Sequence, residues 1–343
     1  MSVFATATGI GSWPPAPPRQ AAAVIVGELP ALPHLVELPS RGVGADLIGR
    51  AGALLIDIAI DTTPRGYRVA ARPGAVTRRA TSLLGEDLDA LEEAWESAGL
   101  GGEGRPVKVQ APGPITLAAE LELGNGHRAL TDPGAVRDLA ASLAEGLAAH
   151  TAELSRRLNT PVVVQLDEPA LPAALAGRLT GVTALTAVPA VDEAVALELL
   201  DACAGEGDTA LHCCAAKVPW KLLRRSMIGA VSVDLDRLTA ADDEGIGEFV
   251  DAGRTVLLGA VPAVGPASAR KPDVGQIAGA AAALVDRIGL PRAALAERIG
   301  ITPACGLAGA STPWARRAIE LARLAAAALA GDPETVFGDS LQP

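Results

Sequence analysis

The chain has 343 residues, of which 49% are hydrophobic, and a formal net charge of −11 at pH 7. So negative a balance excludes the usual partners of basic proteins, nucleic acids and anionic membrane surfaces, because they repel an acidic surface. The most apolar stretch, residues 51–60, is interrupted by Asp57 and is far shorter than the roughly 20 residues that span a bilayer.

The N-terminal residues and the cysteine content indicate in which cellular compartment the protein is expected. Met1–Pro15 has no basic start and is broken by glycine and proline, so it does not predict a signal peptide. Four cysteines in a chain of this length, two of them adjacent, do not resemble a disulfide framework. We therefore expect a cytoplasmic protein.

Short apolar runs alternate along the chain with segments of helical periodicity. The predicted strands are Ala5–Ile10, Leu35–Leu38, Val107–Gln110, Val162–Leu166, Thr209–Leu211, Ala230–Val233, Val256–Leu258 and Ile301–Thr302. The predicted helices are Glu86–Ala98, Pro133–Leu158, Val191–Ala204, Val218–Met227, Ala240–Ala252, Asp273–Ile288 and Thr312–Ala330. Pro133–Leu158 is the clearest of them, with Asp132 as its N-cap and Pro133 in its first turn.

This alternation predicts an α/β fold, a single-domain (β/α)8 barrel of TIM type over residues 1–343. The reason is that a right-handed crossover repeated around a parallel sheet can close the sheet on itself. Residues 62–83 are basic and loop-like, and we interpret them as an insertion near the barrel mouth. In such barrels the active site lies at the C-terminal ends of the strands.

Polar and reactive side chains stand at that end of nearly every predicted strand. They are Ser12, Glu37, Gln110, Asp167, His212, Cys214, Asp234 and Cys305. A barrel brings these ends together, so residues far apart in the sequence are expected to converge on one site.

The triplet His212-Cys213-Cys214 is the strongest chemical signal in the chain. Zinc prefers imidazole and thiolate ligands, and residues two apart on an extended strand face the same way. His212 and Cys214 can therefore share one ion with Cys305, while Cys213 packs on the opposite face and Asp234 can add an oxygen ligand. The alternative is that these small apolar cysteines are simply buried. Convergence of the strand ends favours the metal.

The expected ligand set also indicates a reaction. Two thiolates and a carboxylate leave the site net negative, which does not strongly activate water. It suits a substrate thiol, whose ordinary pKa of about 8.5 falls on a metal while its sulfur stays nucleophilic. The chemistry that follows is alkyl transfer to sulfur.

Four motifs span nearly the whole chain. They are Gly9-Ile10-Gly11-Ser12-Trp13-Pro14, Gly113-Pro114-Ile115-Thr116, Gln165-Leu166-Asp167-Glu168-Pro169-Ala170-Leu171 and Pro303-Ala304-Cys305-Gly306-Leu307. In this order they resemble the C-terminal catalytic domain of cobalamin-independent methionine synthase. The Asp-Glu-Pro-Ala-Leu and Cys-Gly-Leu elements are the most specific.

The resemblance implies a zinc-dependent S-methyltransferase of methionine biosynthesis that binds homocysteine as a thiolate. It implies Zn²⁺ on the four ligands His212, Cys214, Asp234 and Cys305. It places amino-acid recognition on Ser12 and Asp167, with Glu37 as a looser match. We add Gln110 as a substrate-binding candidate, and we expect catalytic roles for Asp167, His212, Cys214 and Cys305.

The sequence departs from the family pattern at several points. The family's acidic zinc ligand is usually glutamate, where this chain has Asp234. The family has a folate-packing tryptophan where this chain reads Leu117-Ala118-Ala119-Glu120, and a proton-donating histidine that residues 259–271 lack. Full-length family enzymes carry a further N-terminal half that helps hold the folate, and this sequence begins at the catalytic barrel. These departures lead to the hypothesis that the methyl donor is a methylated corrinoid protein rather than methyltetrahydrofolate.

Two alternatives stay open at this point. One is alkyl transfer to or from a different thiol, as in corrinoid-linked and coenzyme M-type relatives that share the barrel. The other is a catalytically silent barrel that only binds metal or a partner. A decarboxylase of the uroporphyrinogen type shares the fold but would not need His212, Cys214 and Cys305.

Overall fold

The computed structural model describes residues 2–181, 188–205, 207–265 and 272–336. Its strands are β1 (Ala59–Thr63), β2 (Gly66–Ala70), β3 (Val107–Pro112), β4 (Leu121–Glu122), β5 (Val162–Asp167), β6 (Thr209–Cys213), β7 (Ala230–Asp234), β8 (Thr255–Val261) and β9 (Ile299–Pro303). Its helices are α1 (Pro18–Glu28), α2 (Leu47–Ala51), α3 (Ala75–Ser97), α4 (Pro114–Glu120), α5 (Pro133–Leu158), α6 (Leu171–Leu175), α7 (Glu193–Ala204), α8 (Trp220–Arg225), α9 (Asp243–Asp251), α10 (Val274–Ile288), α11 (Ala294–Glu297) and α12 (Thr312–Gly331). None of these helices is long and apolar enough to cross a membrane.

Six of the eight predicted strands form one parallel sheet in the order β3-β5-β6-β7-β8-β9. The α/β fold of barrel type is thus confirmed, with each of these strands slightly longer than its apolar run.

The first two predicted strands are wrong as regular strands. Ala5–Ile10 and Leu35–Leu38 are extended segments that join the sheet through isolated bridges, at Ala7–Ile301 and His34–Lys108, and their continuations pair with each other at Ser12–Glu37. Pro33 has no N–H for a ladder, and Gly11 has a φ of 144° that a regular strand does not use. Because of these interruptions, the ring is not closed by continuous ladders.

The strands alternate strictly between two environments. Val163 and Ala210 belong to a small apolar cluster on the inner face of the sheet. Leu166, Leu211 and Cys213 belong to the large cluster between the sheet and the helices. This period of two fixes which side chains can reach a site inside the barrel.

The clearest helix prediction is confirmed: α5 spans Pro133–Leu158, and the Asp132 side chain accepts hydrogen bonds from Gly134 N and Ala135 N. The other predicted helices are present with shifted ends. The largest shift is in α3, which begins at Ala75 rather than Glu86.

The loop-like interpretation of residues 62–83 is wrong. The stretch contains the end of β1, all of β2, which pairs with β1 as an antiparallel hairpin, and the first turns of α3. Tyr67 explains part of this order: its ring is buried and its hydroxyl accepts from Gly44 N at 3.0 Å and donates to Asp46. That the stretch is an insertion, and that the chain is one domain, stay predictions.

Candidate metal centre

Three metal-ligand side chains meet at the C-terminal edge of the parallel sheet. His212 is the penultimate residue of β6, Cys214 directly follows β6, and Cys305 follows β9. One ligand atom from each lies within 4.8 Å of the others, and the two Sγ atoms are 3.4 Å apart. The sheet thus brings together residues about ninety positions apart. Cys213 packs on the opposite face among the helices, as the alternation predicts.

One ring nitrogen of His212 is hydrogen-bonded and the other is not. Nδ1 lies 3.1 Å from Ser232 Oγ on the neighbouring strand β7. Nε2 is buried and has no hydrogen-bond partner among the described residues. A buried unpaired nitrogen is costly unless an ion or donor occupies it, and a metal-bound histidine commonly has its other nitrogen hydrogen-bonded in this way. The orphaned nitrogen and the two sulfurs therefore fit a zinc ion.

The two thiols are electrostatically unequal. The hydrogen bond between Cys305 and Cys214, together with His212, lowers the pKa of Cys305 well below its ordinary value. The same hydrogen bond, with burial, raises the pKa of Cys214. Of the two cysteines, Cys305 is thus the one that more readily loses its proton to become a thiolate, the form that binds metal.

Asp234 does not join this group. Its carboxylate accepts from Asp236 N at 3.1 Å and pairs with Arg237 Nε at 3.2 Å. A role as fourth ligand would require the side chain to leave both partners, and aspartate is one methylene shorter than glutamate. Its role as a ligand stays a prediction.

A cavity of about 290 Å³ opens beside the three ligands. It is lined by Ile10, Ser12, Glu37, Pro39, Leu47, Asp167, Pro169, His212, Cys214, Cys305 and Gly306. Most of the predicted site residues therefore share one cavity, whose volume is at the small end of ligand sites.

The glycine that follows Cys305 has a steric role beside this cavity. A Cβ on Gly306 would overlap the hydroxyl of Ser12, so the residue after Cys305 must be glycine for Ser12 to lie where it does. Backbone hydrogen bonds also hold this segment: Leu307 N donates to Ser12 O at 2.9 Å, and Trp13 N, the next residue along, donates to Glu37 O at 2.9 Å.

Two carboxyl-bearing residues, Asp167 and Glu37, line the cavity. Asp167, the last residue of β5, has its Oδ1 engaged by Gln165 Nε2 at 2.7 Å. Glu37 has Oε1 buried without a hydrogen bond, with Arg50 Nε 3.9 Å away. Burial raises the pKa of Asp167 to about 6 and that of Glu37 to about 7. A cation entering the cavity would restore both groups to their charged form.

Gln110 is not part of the cavity lining. Its Nε2 donates to Leu35 O at 2.6 Å, and its side chain packs under Gly11, where a Cβ would be 2.8 Å from it. The structure thus assigns Gln110 a contact with the backbone of the first two extended segments rather than one with the cavity.

Several residues at the site were not singled out from the sequence. Ser232 orients His212, Gln165 donates a hydrogen bond to Asp167, and the buried Lys108 donates to Gln165. The alternation of side chains along a strand is the sequence signal that could have found them, because it puts Gln165 on the same face as Asp167 and Ser232 on the inner face of β7. Their residue types alone do not distinguish them from other polar residues buried in the core.

Glu168 faces away from the cavity and links two of the motifs. Its carboxylate accepts from Ile115 N at 2.8 Å, Thr116 N at 2.9 Å and Thr116 Oγ1 at 2.7 Å. It therefore caps α4 and connects Gly-Pro-Ile-Thr to Asp-Glu-Pro-Ala-Leu. Asp167 and Glu168 are neighbours in sequence with different tasks, because they lie on opposite faces.

The fold and site together define an α/β barrel protein with a candidate zinc centre of one imidazole and two thiols beside an acidic cavity. The chain belongs to the family described as cobalamin-independent synthase, catalytic domain, whose model matches residues 4–328. The family resemblance of the four motifs is thereby confirmed.

A solved structure supports the same fold. The chain is similar to a B12-independent methionine synthase from Shewanella sp. W3-18-1 in complex with selenomethionine, with a TM-score of 0.61 and 13% identity. The match covers 96% of this chain and 98% of the other. No curated protein matches the chain.

Proposed function

We propose that the protein is a zinc-dependent methyltransferase that moves a methyl group onto the sulfur of homocysteine to give methionine. The observation that carries the proposal is the meeting of a His212 ring nitrogen, Cys214 Sγ and Cys305 Sγ at one edge of an acidic cavity. Membership in the cobalamin-independent synthase family supports the reaction class. The Shewanella protein's complex with selenomethionine supports an amino-acid ligand.

Zinc, when bound, would lower the pKa of an incoming thiol and leave its sulfur nucleophilic. The chain's own residues orient the metal ligands and hold the acceptor. Ser232 holds the His212 ring through Nδ1, which leaves the buried Nε2 available as a ligand. Asp167 and Glu37 provide negative charge for an α-ammonium group, and the Ser12 hydroxyl can donate to an α-carboxylate. Holding the acceptor in this way fixes the thiol for in-line attack, and such positioning can contribute several powers of ten in rate.

The first test counts zinc per chain by elemental analysis in the wild type, Cys305→Ser and Cys213→Ala. We expect one zinc in the wild type, none in Cys305→Ser, and one in the matched control, because Cys213 packs among the helices. Stoichiometric zinc in Cys305→Ser would refute the ligand assignment.

The second test adds homocysteine to the zinc-loaded protein and reads the metal by X-ray absorption. A gain of one sulfur ligand is expected for a thiol-binding centre. Zinc that does not respond to any thiol would support a catalytically silent barrel. A response to coenzyme M but not to homocysteine would favour transfer to another thiol.

For the donor, we propose a methylated corrinoid protein in place of methyltetrahydrofolate. Two features support this choice. Leu117, Ala118 and Ala119 are buried in α4 and present no aromatic face for a pterin ring. The loop at 259–271 contains no histidine to protonate a departing amine, although positions 266–271 lie outside the described residues.

The donor proposal is tested by steady-state assay of methionine formation with each donor in turn. We expect turnover with a methylcorrinoid and little with methyltetrahydrofolate, since an N5 amine that leaves without a proton is a poor leaving group. Faster turnover with methyltetrahydrofolate would reverse the assignment of the donor and leave the acceptor chemistry intact.

A further inference from the structure

Lys108 is a buried lysine with no part in the chemistry described above. It lies on β3, is 1% exposed, and faces the inside of the barrel. A buried ammonium group is costly unless it is paired, so its surroundings must compensate for it. Burial lowers the pKa of Lys108, to about 8, while Asp167 and Glu37 act in the opposite direction.

The side chain of Lys108 determines the orientation of a neighbouring amide. Its Nζ donates to Gln165 Oε1 at 2.7 Å and approaches Ile10 O at 3.4 Å. An ammonium group can only donate, so the amide oxygen of Gln165 must face Lys108. The amide nitrogen must then face the other way.

The orientation of the Gln165 amide in turn fixes the carboxylate of Asp167. Its Nε2 donates to Asp167 Oδ1 at 2.7 Å and to Ile10 O at 2.8 Å. These two bonds use both amide hydrogens and fix the carboxylate of Asp167. Within the described part of the chain no donor contacts Asp167 Oδ2, so that oxygen is left for a ligand in the cavity. Neither Lys108 nor Gln165 lines the cavity, so neither competes with a ligand.

We propose that Lys108 and Gln165 are positioning residues that hold Asp167 for the α-ammonium group of the acceptor, and that they make the site selective for thiols that carry an amino group. This inference rests on the proposed function. The inference extends the proposed function by naming the buried hydrogen bonds, from Lys108 through Gln165 to Asp167, that prepare the site for the acceptor's amine.

The test compares two ligands that differ only in the amine. Homocysteine and 4-mercaptobutyrate share the thiol and the carboxylate. Their affinities are measured by calorimetry on the zinc-loaded wild type, Lys108→Met and Gln165→Glu, with exposed Lys221→Met as the control. Gln165→Glu still accepts from Lys108 but has no hydrogen to donate to Asp167 Oδ1.

We expect the wild type and Lys221→Met to prefer homocysteine. In Lys108→Met and Gln165→Glu that preference should fall by about tenfold or more, the usual size of a hydrogen bond to a charged group, with 4-mercaptobutyrate affinity and zinc content unchanged. If Lys108→Met does not fold, the nearly isosteric Gln165→Glu still decides the question.

Two results would overturn the inference while leaving the proposed function in place. One is full preference for homocysteine in both variants. The other is an equal loss of affinity for both thiols, which would mark the two residues as general supports of the barrel. If the wild type binds neither thiol, the proposed function fails and the inference fails with it.

Discussion

At the scale of single residues, the site depends on which way neighbouring side chains face. Cys213 and Cys214 are adjacent, yet one packs among the helices and the other approaches Cys305 Sγ at 3.4 Å. The same division separates Asp167, which faces the cavity, from Glu168, which caps α4. A change of one position in strand register would therefore exchange ligands for core residues.

Ser232→Ala tests the orientation of the histidine ligand. The substitution removes the group 3.1 Å from His212 Nδ1 and leaves all three ligands in place. We expect zinc affinity to fall by about 10- to 100-fold, the range typical when the outer partner of a metal-bound histidine is lost. Competition with a chromophoric chelator measures it.

The matched control for this variant is Ser142→Ala, which loses a hydrogen bond of 2.6 Å to Ile56 O away from the site. Its zinc affinity should equal that of the wild type. An unchanged affinity in Ser232→Ala as well would show that the ring is held by packing alone.

At the scale of elements, close contacts between helices and neighbouring segments determine which glycines are required. Gly146 on α5 lies against Leu54, where an added Cβ would overlap the carbonyl oxygen. Gly85 on α3 has nothing within 4 Å of such a Cβ. Helix propensity favours alanine at both positions, so only the surroundings distinguish them.

Alanine at these two glycines should therefore have opposite effects. We expect Gly85→Ala to raise the free energy of unfolding by up to about 1 kcal/mol. Gly146→Ala should lower it by about 1–3 kcal/mol, because the backbone of Leu54 must move. Urea denaturation of both variants measures the difference. Stabilisation by both would mean that α5 can shift away from Leu54 at little cost.

At the scale of the whole molecule, buried histidines make the stability of the fold depend on pH. Burial, and to a lesser extent the charge of Arg50, lowers the pKa of His150 from 6.5 to about 4. Below pH 6.5 the unfolded chain binds a proton at this position that the folded chain does not. The free energy of unfolding therefore decreases as the pH falls from 6.5 towards 4.

His150→Gln removes this contribution. We expect the wild type to lose up to about 3 kcal/mol relative to the variant between pH 7 and pH 4. Denaturation series at several pH values measure the loss. His127→Gln, at an exposed histidine, is the control and should follow the wild-type profile. Parallel profiles for wild type and His150→Gln would contradict the assigned shift.

Periodicity predicted much of the architecture because it depends on local patterns. The six regular strands of the sheet and α5 follow from apolar spacing and a capping aspartate. The order in residues 62–83 is not predictable from periodicity, because Tyr67 stabilises the hairpin through Asp46 and Gly44, which are distant in sequence. The irregularity of the first two extended segments is not predictable from hydropathy, because hydropathy does not show that a proline lacks an N–H.

Motifs and local spacing are enough to give the family, the alternating α/β order and the presence of His212, Cys214 and Cys305 as soft metal ligands. These properties reside in residue identity and short-range spacing. The three-dimensional packing is needed to show that Asp234 pairs with Arg237, that Gln110 lies outside the cavity, and that Lys108 is linked to Asp167 through Gln165. Such contacts depend on rotamers and on distances between separate strands, and neither is encoded in the spacing of residues along one strand.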